Sequence, residues 1–267
     1  MGIPYAEVIG DPVAHSKSPA IHRYWLDQLG IEGDYRTTRV TADELPDYLA
    51  ARRDDPDWRG CNVTMPLKED ILSLLDTNAL TRRIGAVNTV VRYDGMLTGT
   101  NTDWQGINLA LDTARIDPER VAVIGAGGAA RAALAEVRMQ KVLHVILINR
   151  SPEKAAALLE LFGLHGKVLP LGTAPDVDLL INASPLGMAG YPALDVDLSR
   201  LKADATVFDM VYHPLETPLL RDARGRGLKT VDGLSMLIHQ ASIAFTHFFK
   251  VSPEPADSAE LRERLTS

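Results

Sequence analysis

Three short segments in the first part of the chain carry more polar groups than packing alone asks for. His15-Ser16-Lys17-Ser18-Pro19 offers two hydroxyls close together. Asn62-Val63-Thr64-Met65-Pro66-Leu67-Lys68 adds an amide, a hydroxyl and an ammonium. Gly85-Ala86-Val87-Asn88-Thr89 and Gly99-Thr100-Asn101-Thr102-Asp103 add further amides and a carboxylate. Each group also has a plainer use. Ser18 reads as the N-cap of a helix that Pro19 opens, Asp103 can cap the helix after it, and Lys68 beside Glu69 and Asp70 reads as a solvated surface residue. Ser16 has no such use. If Pro66 is the first helical position, Lys68 falls in the first turn. A cation there opposes the helix dipole, which lowers its pKa toward the range useful for proton transfer. His15, His22, His213 and His239 lack metal-ligand spacing, so no metal site is expected.

A second chemistry-bearing motif lies further on. Residues 121–133 read V-A-V-I-G-A-G-G-A-A-R-A-A. Gly125, Gly127 and Gly128 stand between an apolar run that reads as a buried strand and an Ala-rich helix. That is the setting of a dinucleotide fingerprint: a tight turn, a close approach of backbone to pyrophosphate, and a helix N-terminus with unpaired N–H groups. The usual third glycine is missing, and Ala132 supplies the small residue for helix–strand packing. The next strand ends Ile148-Asn149-Arg150-Ser151 with no carboxylate for ribose hydroxyls. Arg150 and Ser151, with Lys154 one helical turn on, suit a 2′-phosphate instead, which favours NADP over NAD. The plainer reading is an Arg at a strand end and Ser151 as an N-cap before Pro152.

These groups need a scaffold, and the chain is long enough for one. Its 267 residues are 46% hydrophobic and 24% charged, an ordinary globular composition for one or two domains. The net charge of −7 comes with no dense Lys/Arg run, which speaks against a nucleic-acid partner. The lone Cys61 excludes an intrachain disulfide and a cysteine-rich zinc site, and fits a reducing cytoplasm. It reads as a packed strand residue. No secretory or myristoylation signal is read at the start, and no run suits a membrane span.

Strands and helices alternate, which predicts an α/β architecture with a mainly parallel sheet. Expected strands cover 3–9, 60–64, 87–92, 96–99, 121–124, 142–148, 178–181, 206–209 and 229–231, with Asp94-Gly95 as a hairpin turn. Expected helices start at Ser18, after the Thr41/Glu44 capping box, at Pro66, and over 103–115, 127–137, 234–249 and 253–267. Two lobes follow, divided near residue 104.

The ordered motifs S-K-S-P, N-V-T-M-P-L-K, G-A-V-N-T, G-T-N-T-D, G-A-G-G-A, N-R-S and D-G-L-S-M-L-I-H-Q resemble the shikimate dehydrogenase family from residue 8 to about 245. The resemblance implies a substrate domain over 1–103, completed by 238–267, and a Rossmann-type NADP-binding domain over 104–237. It implies reversible NADP-dependent reduction of 3-dehydroshikimate to shikimate, a step of aromatic amino-acid biosynthesis. Residue by residue, Ser16 and Ser18 match the serines on the substrate carboxylate. Thr64, Asn88, Asp103 and Gln240 match groups on the ring hydroxyls, and Tyr212 a tyrosine near the substrate. Lys68 matches the catalytic lysine, with Asp103 as its partner. Gly125, Ala126, Gly127, Gly128 and Ala129 match the cofactor turn. Asn149, Arg150 and Ser151 match the 2′-phosphate segment, where Ser151 replaces a common Thr. Met210 and Gly233 match positions beside the nicotinamide. Asn-Ala-Ser-Pro at 182–185 departs from the usual Asn-Ala-Thr, and between Lys68 and Asn88 relatives often carry an acidic or polar cofactor contact near which Ala79 stands, so none is carried over there.

Three rivals stay open: a quinate/shikimate dehydrogenase using NAD or NADP, a non-catalytic dinucleotide-sensing module, and a dehydrogenase of folate-type substrates. Ser18 and Arg150 favour shikimate and NADP over the first. The joint presence of Lys68 and Asp103 opposes the second, and the paired serines oppose the third. The expected oligomeric state is a monomer or homodimer, with no membrane partner.

Overall fold

The computed structural model describes residues 2–266. Met1 and Ser267, the outermost residues of the expected substrate domain, lie outside the described residues. The chain separates into two compact units, Met1–Thr102 with Ile238–Ser267, and Asp103–Leu237.

In chain order the first unit contains β1 (Tyr5–Gly10), α1 (Ser18–Leu29), β2 (Asp34–Arg39), α2 (Leu45–Arg53), β3 (Trp58–Val63), β4 (Asp76–Thr77), α3 (Ala79–Ile84), β5 (Thr89–Tyr93) and β6 (Met96–Thr100). The sheet order is β2-β1-β3-β5-β6-β4. Strand β1 runs parallel to β2 and β3, whereas β5 is antiparallel to both β3 and β6. The carboxyl ends of β1, β3 and β6 and the amino end of β5 therefore share one sheet edge. The β5–β6 turn takes φ +48° at Asp94 and +78° at Gly95, as an Asp-Gly hairpin requires. One face of the sheet buries Ile9, Trp58, Cys61, Val63, Leu67, Ile71 and Val90. Inside this layer the fully buried Glu7 accepts from Arg52 Nε at 2.6 Å, Tyr48 Oη at 2.8 Å, Trp58 Nε1 at 3.0 Å and the Thr38 hydroxyl. So many donors satisfy a charge that would be costly to bury alone.

The second unit contains α4 (Asp103–Thr113), β7 (Arg120–Ile124), α5 (Gly128–Met139), β8 (His144–Ile148), α6 (Pro152–Phe162), β9 (Gly166–Leu169), β10 (Leu179–Asn182), β11 (Thr206–Asp209), α7 (Pro218–Gly225) and β12 (Lys229–Val231). Its strands are all parallel in the order β9-β8-β7-β10-β11-β12. That is the doubly wound Rossmann order, whose direction reverses between β7 and β10. Val121, Val123, Leu147, Leu180 and Val207 are buried, as strands covered on both faces demand. Helix α8 (Gly233–Phe249) carries the chain across the unit boundary, and α9 (Ala259–Thr266) belongs to the first unit. Among the described residues no helix is long and apolar enough to cross a membrane.

Four local expectations need correction. Lys17, with φ −82° and ψ −7°, takes the cap position of α1, so Ser18 is already helical and its side chain does not cap. The Thr41/Glu44 box forms by half. Glu44 accepts from Thr41 N at 2.8 Å and Oγ1 at 2.9 Å, but Glu44 is itself the cap residue of α2. No α-helix begins at Pro66. Residues 65–69 are turn, followed by a 3-10 helix at Asp70–Leu74. Ile71 N reaches Leu67 O at 3.1 Å, but the Lys68 carbonyl accepts from Val87 N at 2.7 Å and Leu72 N turns to Glu69 O at 3.3 Å, so the i→i+4 ladder stops after one bond. The terminal helix begins at Ala259 rather than 253. Pro255 disfavours a helical Glu254, and Ser258 Oγ accepts from Leu261 N at 3.2 Å. The edge strands β2 and β9 escape a periodicity reading because polar and apolar residues do not alternate cleanly along them.

Candidate active site

In the first unit the shared sheet edge collects the polar segments. Ser16 and Ser18 follow β1, Thr64 and Lys68 follow β3, Asn88 precedes β5, and Thr102 follows β6. The Ser16 hydroxyl accepts the Ser18 N–H at 3.3 Å, so Ser16 does have a local structural use. Ser18 is buried, and Thr64 and Lys68 are half-buried. Lys68 lies in a turn and no α-helix starts at Pro66, so no helix dipole opposes its charge. Lys17 donates to the Leu265 carbonyl at 2.5 Å and ties the serine segment to α9.

Asn88 is the centre of this edge. Its Oδ1 accepts from Thr102 N at 2.6 Å and from Thr89 Oγ1 at 3.1 Å. Its Nδ2 donates to Thr102 Oγ1 at 3.0 Å and to Gln240 Oε1 at 3.3 Å. Gln240, contributed by α8, thereby meets a residue that is distant in sequence. Amides fixed in this way present defined donors and acceptors to hydroxyl groups. Asp103, at the start of α4, is buried and follows Thr102 directly as the first residue of the second unit.

In the second unit the carboxyl ends of the parallel strands carry the cofactor candidates. Gly125 takes φ +116°, and a Cβ there would stand 2.9 Å from the Ala183 carbonyl oxygen, so only glycine fits the turn. Gly127, the cap residue of α5, has φ −97° and makes no side-chain cap, and a Cβ on it would meet nothing within 4 Å. Gly128 and Ala129 begin α5 beyond it, and Ala126 lies between the two turn glycines. An open cradle before an uncapped helix N-terminus suits a pyrophosphate. Asn149 donates through Nδ2 to Ser151 O at 3.0 Å and holds the loop after β8. Ser151 precedes α6 without a side-chain cap bond, and Arg150 and Lys154 are exposed. Two cations and an uncommitted hydroxyl at this tip fit a 2′-phosphate.

The tips of β10 and β11 form a buried pair that sequence reasoning missed. Asp209 accepts from Asn182 Nδ2 at 2.9 Å, Val211 N at 3.1 Å and Thr217 Oγ1 at 2.5 Å. Burial raises its pKa against the pull of these donors. The pair shapes the turn that carries Met210 and Tyr212, and burial raises the Tyr212 pKa as well. Gly233 packs so tightly on Met210 that a Cβ would stand 2.5 Å from its carbonyl carbon. Asn182 lies in the 182–185 run and Asp209 just before Met210, so their strand-end positions were the only signal. Tyr35, Asn62, Thr89 and Thr102 also received no role from sequence, although all but Tyr35 stand inside the polar segments. Among the described residues no cluster of three His, Cys, Asp or Glu side chains could hold a metal.

Residues 8–90 match the model of the shikimate dehydrogenase substrate binding domain. The NADP(+) shikimate dehydrogenase of Sphingopyxis alaskensis is 55% identical over 267 residues, covering 99% of this chain and 97% of the relative. The shikimate 5-dehydrogenase of Thermus thermophilus, solved with NADP(H) and shikimate, is 38% identical with a TM-score of 0.88, covering 98% of each chain. The ligand-free 5-ketofructose reductase of a Gluconobacter strain is 30% identical with a TM-score of 0.89, covering 99% of this chain and 98% of that one.

Proposed function

The chain belongs to the shikimate dehydrogenase family, and we propose that it catalyses the reversible NADP-dependent reduction of 3-dehydroshikimate to shikimate. The observation that carries this reading is the single sheet edge of the first unit, where two serines, a lysine, and an Asn88 amide bonded to Gln240 converge. We assign 1–103 with 238–267, the first unit extended by Asp103, to the substrate and 104–237 to NADP. In the second unit, Gly125 through Ala129 would receive the pyrophosphate. Asn149, Arg150, Ser151 and Lys154 would receive the 2′-phosphate, and Met210 and Gly233 would border the nicotinamide.

NADP, when bound, supplies the hydride acceptor or donor. The chain's own task is the proton. Oxidising a secondary alcohol frees a proton from the hydroxyl, and reduction returns one to the carbonyl oxygen. Lys68 takes and returns it through its Nζ, with Asp103 as its partner. Ser16 and Ser18 donate to the carboxylate. Thr64, Asn88, Asp103 and Gln240 hold the ring hydroxyls in register, which fixes which alcohol reacts. Tyr212 would stand near the substrate. Local donors meet both anionic ligands, so the net charge of −7 does not oppose them. We place the enzyme in the cytoplasm, as a monomer or homodimer.

The test is a matrix of shikimate or quinate with NADP or NAD, followed by absorbance of the reduced cofactor. Turnover should be fastest with shikimate and NADP. Activity with quinate and NAD alone would overturn the reading. The 5-ketofructose reductase relative makes that sugar ketone a useful added substrate, and exclusive turnover of it would be equally damaging.

A further inference from the structure

We propose that Asp209 is a positioning residue for the nicotinamide half of NADP: its carboxylate ties the loops after β10 and β11 to the start of α7 and so fixes the backbone that borders the nicotinamide. The inference rests on the function proposed above. In a doubly wound sheet a dinucleotide straddles the point where the strand order reverses, here between β7 and β10. The pyrophosphate is assigned to the turn after β7 and the 2′-phosphate to the loop after β8. The other half of the cofactor then falls over the tips of β10 and β11. Asp209 ends β11 beside Asn182, which ends β10. Asp209, Asn182 and Thr217 are fully buried. The three donors to Asp209 are all neutral: Asn182 Nδ2 at 2.9 Å, Val211 N at 3.1 Å and Thr217 Oγ1 at 2.5 Å. A carboxylate buried among neutral donors is costlier than apolar side chains packed in its place. What it supplies is direction.

Each proton of the network has one destination. A carboxylate only accepts, so the Asn182 side chain must turn its nitrogen to Asp209 and its oxygen away. The second Asn182 Nδ2 proton goes to the Leu186 carbonyl at 3.0 Å. Asn182 Oδ1 accepts from Ser184 N at 3.1 Å and Ser184 Oγ at 2.7 Å, and Ser184 Oγ accepts from Leu186 N at 3.3 Å. The loop after β10 is thus folded around one amide whose sense Asp209 sets. The Val211 bond holds the turn at 209–212, with Gly233 packed against the Met210 carbonyl. Thr217 gives its one proton to Asp209 and accepts from Leu220 N at 3.2 Å, which fixes the start of α7. Two backbone bonds join the loops directly, Met210 N to Asn182 O at 3.0 Å and Ala189 N to His213 O at 2.9 Å. Without the carboxylate, three buried donors lose their acceptor and the Asn182 amide loses its fixed sense. The loop after β8 is held separately, by Asn149 Nδ2 to Ser151 O at 3.0 Å. Loss of Asp209 should therefore be felt at one half of the cofactor.

The experiment titrates wild type, Asp209→Ala, Asp209→Asn and Thr217→Val calorimetrically with NADP and with 2′,5′-ADP, which carries the adenosine and the 2′-phosphate but no nicotinamide. A wild type that binds neither ligand refutes the proposed function, and the role of Asp209 falls with it; the outcomes in the variants test that role alone. Asp209→Ala should weaken NADP about tenfold and 2′,5′-ADP by less than about twofold. Its kcat with shikimate should fall about tenfold or more, because a displaced nicotinamide leaves the reacting geometry. Asp209→Asn keeps an acceptor oxygen for Asn182 and Val211 and turns its nitrogen to Thr217 Oγ1. It should bring NADP affinity back to within about threefold of wild type. An impairment equal to that of Asp209→Ala overturns the proposal. So does an equal loss of both ligands in Asp209→Ala, or a lowered melting temperature with the ratio of the two affinities unchanged, since either marks a role confined to folding. If Asp209→Ala does not fold, Thr217→Val decides by the same ratio. NADP weakened about threefold with 2′,5′-ADP unchanged supports the tie to α7. An unchanged ratio refutes it.

Discussion

Two glycines of one turn should answer the same substitution in opposite ways. Gly127 has φ −97°, open to any residue, and a Cβ there meets nothing within 4 Å. Gly127→Ala gains about 0.4–1 kcal/mol from a less flexible unfolded chain. It loses a similar amount because Ala is a poor N-cap. Stability should therefore stay within about 0.5 kcal/mol of wild type. The methyl group would enter the space assigned to the pyrophosphate, so NADP affinity should fall about tenfold or more, equivalent to about 1.4 kcal/mol. Gly125 differs. Its φ of +116° imposes strain on the order of 1–3 kcal/mol on any other residue. Its Cβ would also stand 2.9 Å from Ala183 O and 3.2 Å from Ser184 N, both backbone atoms. That segment is anchored by the Ala183 N–H to Ile124 O bond of 2.9 Å and cannot yield cheaply. Gly125→Ala should lose roughly 2–3 kcal/mol of stability. Urea denaturation followed by circular dichroism reads the stability, and quenching of tryptophan fluorescence by NADP reads the affinity. A Gly127→Ala protein with wild-type NADP affinity, or a Gly125→Ala protein of wild-type stability, would refute the reasoning.

Further outcomes follow from other side chains. Lys68→Ala should cut kcat about 10²- to 10⁴-fold while NADP still binds, and near-normal turnover would remove Lys68 from proton transfer. Arg150→Ala should raise the NADP KM about tenfold or more and leave the NAD KM unchanged, since only NADP carries the 2′-phosphate; equal losses for both would relocate the phosphate. The His22 pKa is lowered by burial to about 3, so the folded chain excludes the charged form while the unfolded chain takes a proton below its ordinary value. Stability contributed by this group is complete above that ordinary value and declines as pH falls toward 3. Between pH 7.5 and 5 the loss is about 2 kcal/mol. His22→Phe should flatten the wild-type decline by that amount in denaturation curves at the two pH values; parallel curves would show that His22 is already charged in the folded protein.

The local chemistry of this protein is legible in its residues. Gly125, Asp94-Gly95 and Gly30 mark backbone turns that other residues resist, so the strand–helix turn, the hairpin and the end of α1 follow from sequence. The apolar runs at β7, β8 and β11 are long enough to declare a parallel sheet, and the motif order carries the family. Where side-chain identity competes with distant partners, sequence falls short. Lys68 was placed on a helix because Pro66 favours one, but its carbonyl is taken by Val87 across a loop. The Ser18 side chain, which the sequence offers as a cap, makes none, because Lys17 takes the cap position and α1 begins at Ser18 itself. Tyr35 and Asn62 are separated by 27 residues and Asn88 and Gln240 by 152, and no spacing rule links them. Their meeting depends on strand order, on the antiparallel turn of β5 within an otherwise parallel half-sheet, and on a helix returning from the far end of the chain. The sequence alone determined which groups are the candidates for the chemistry and which turns are the candidates for the phosphates. Only the tertiary structure decided which buried hydrogen bonds orient those groups, because each bond pairs residues that share no local periodicity.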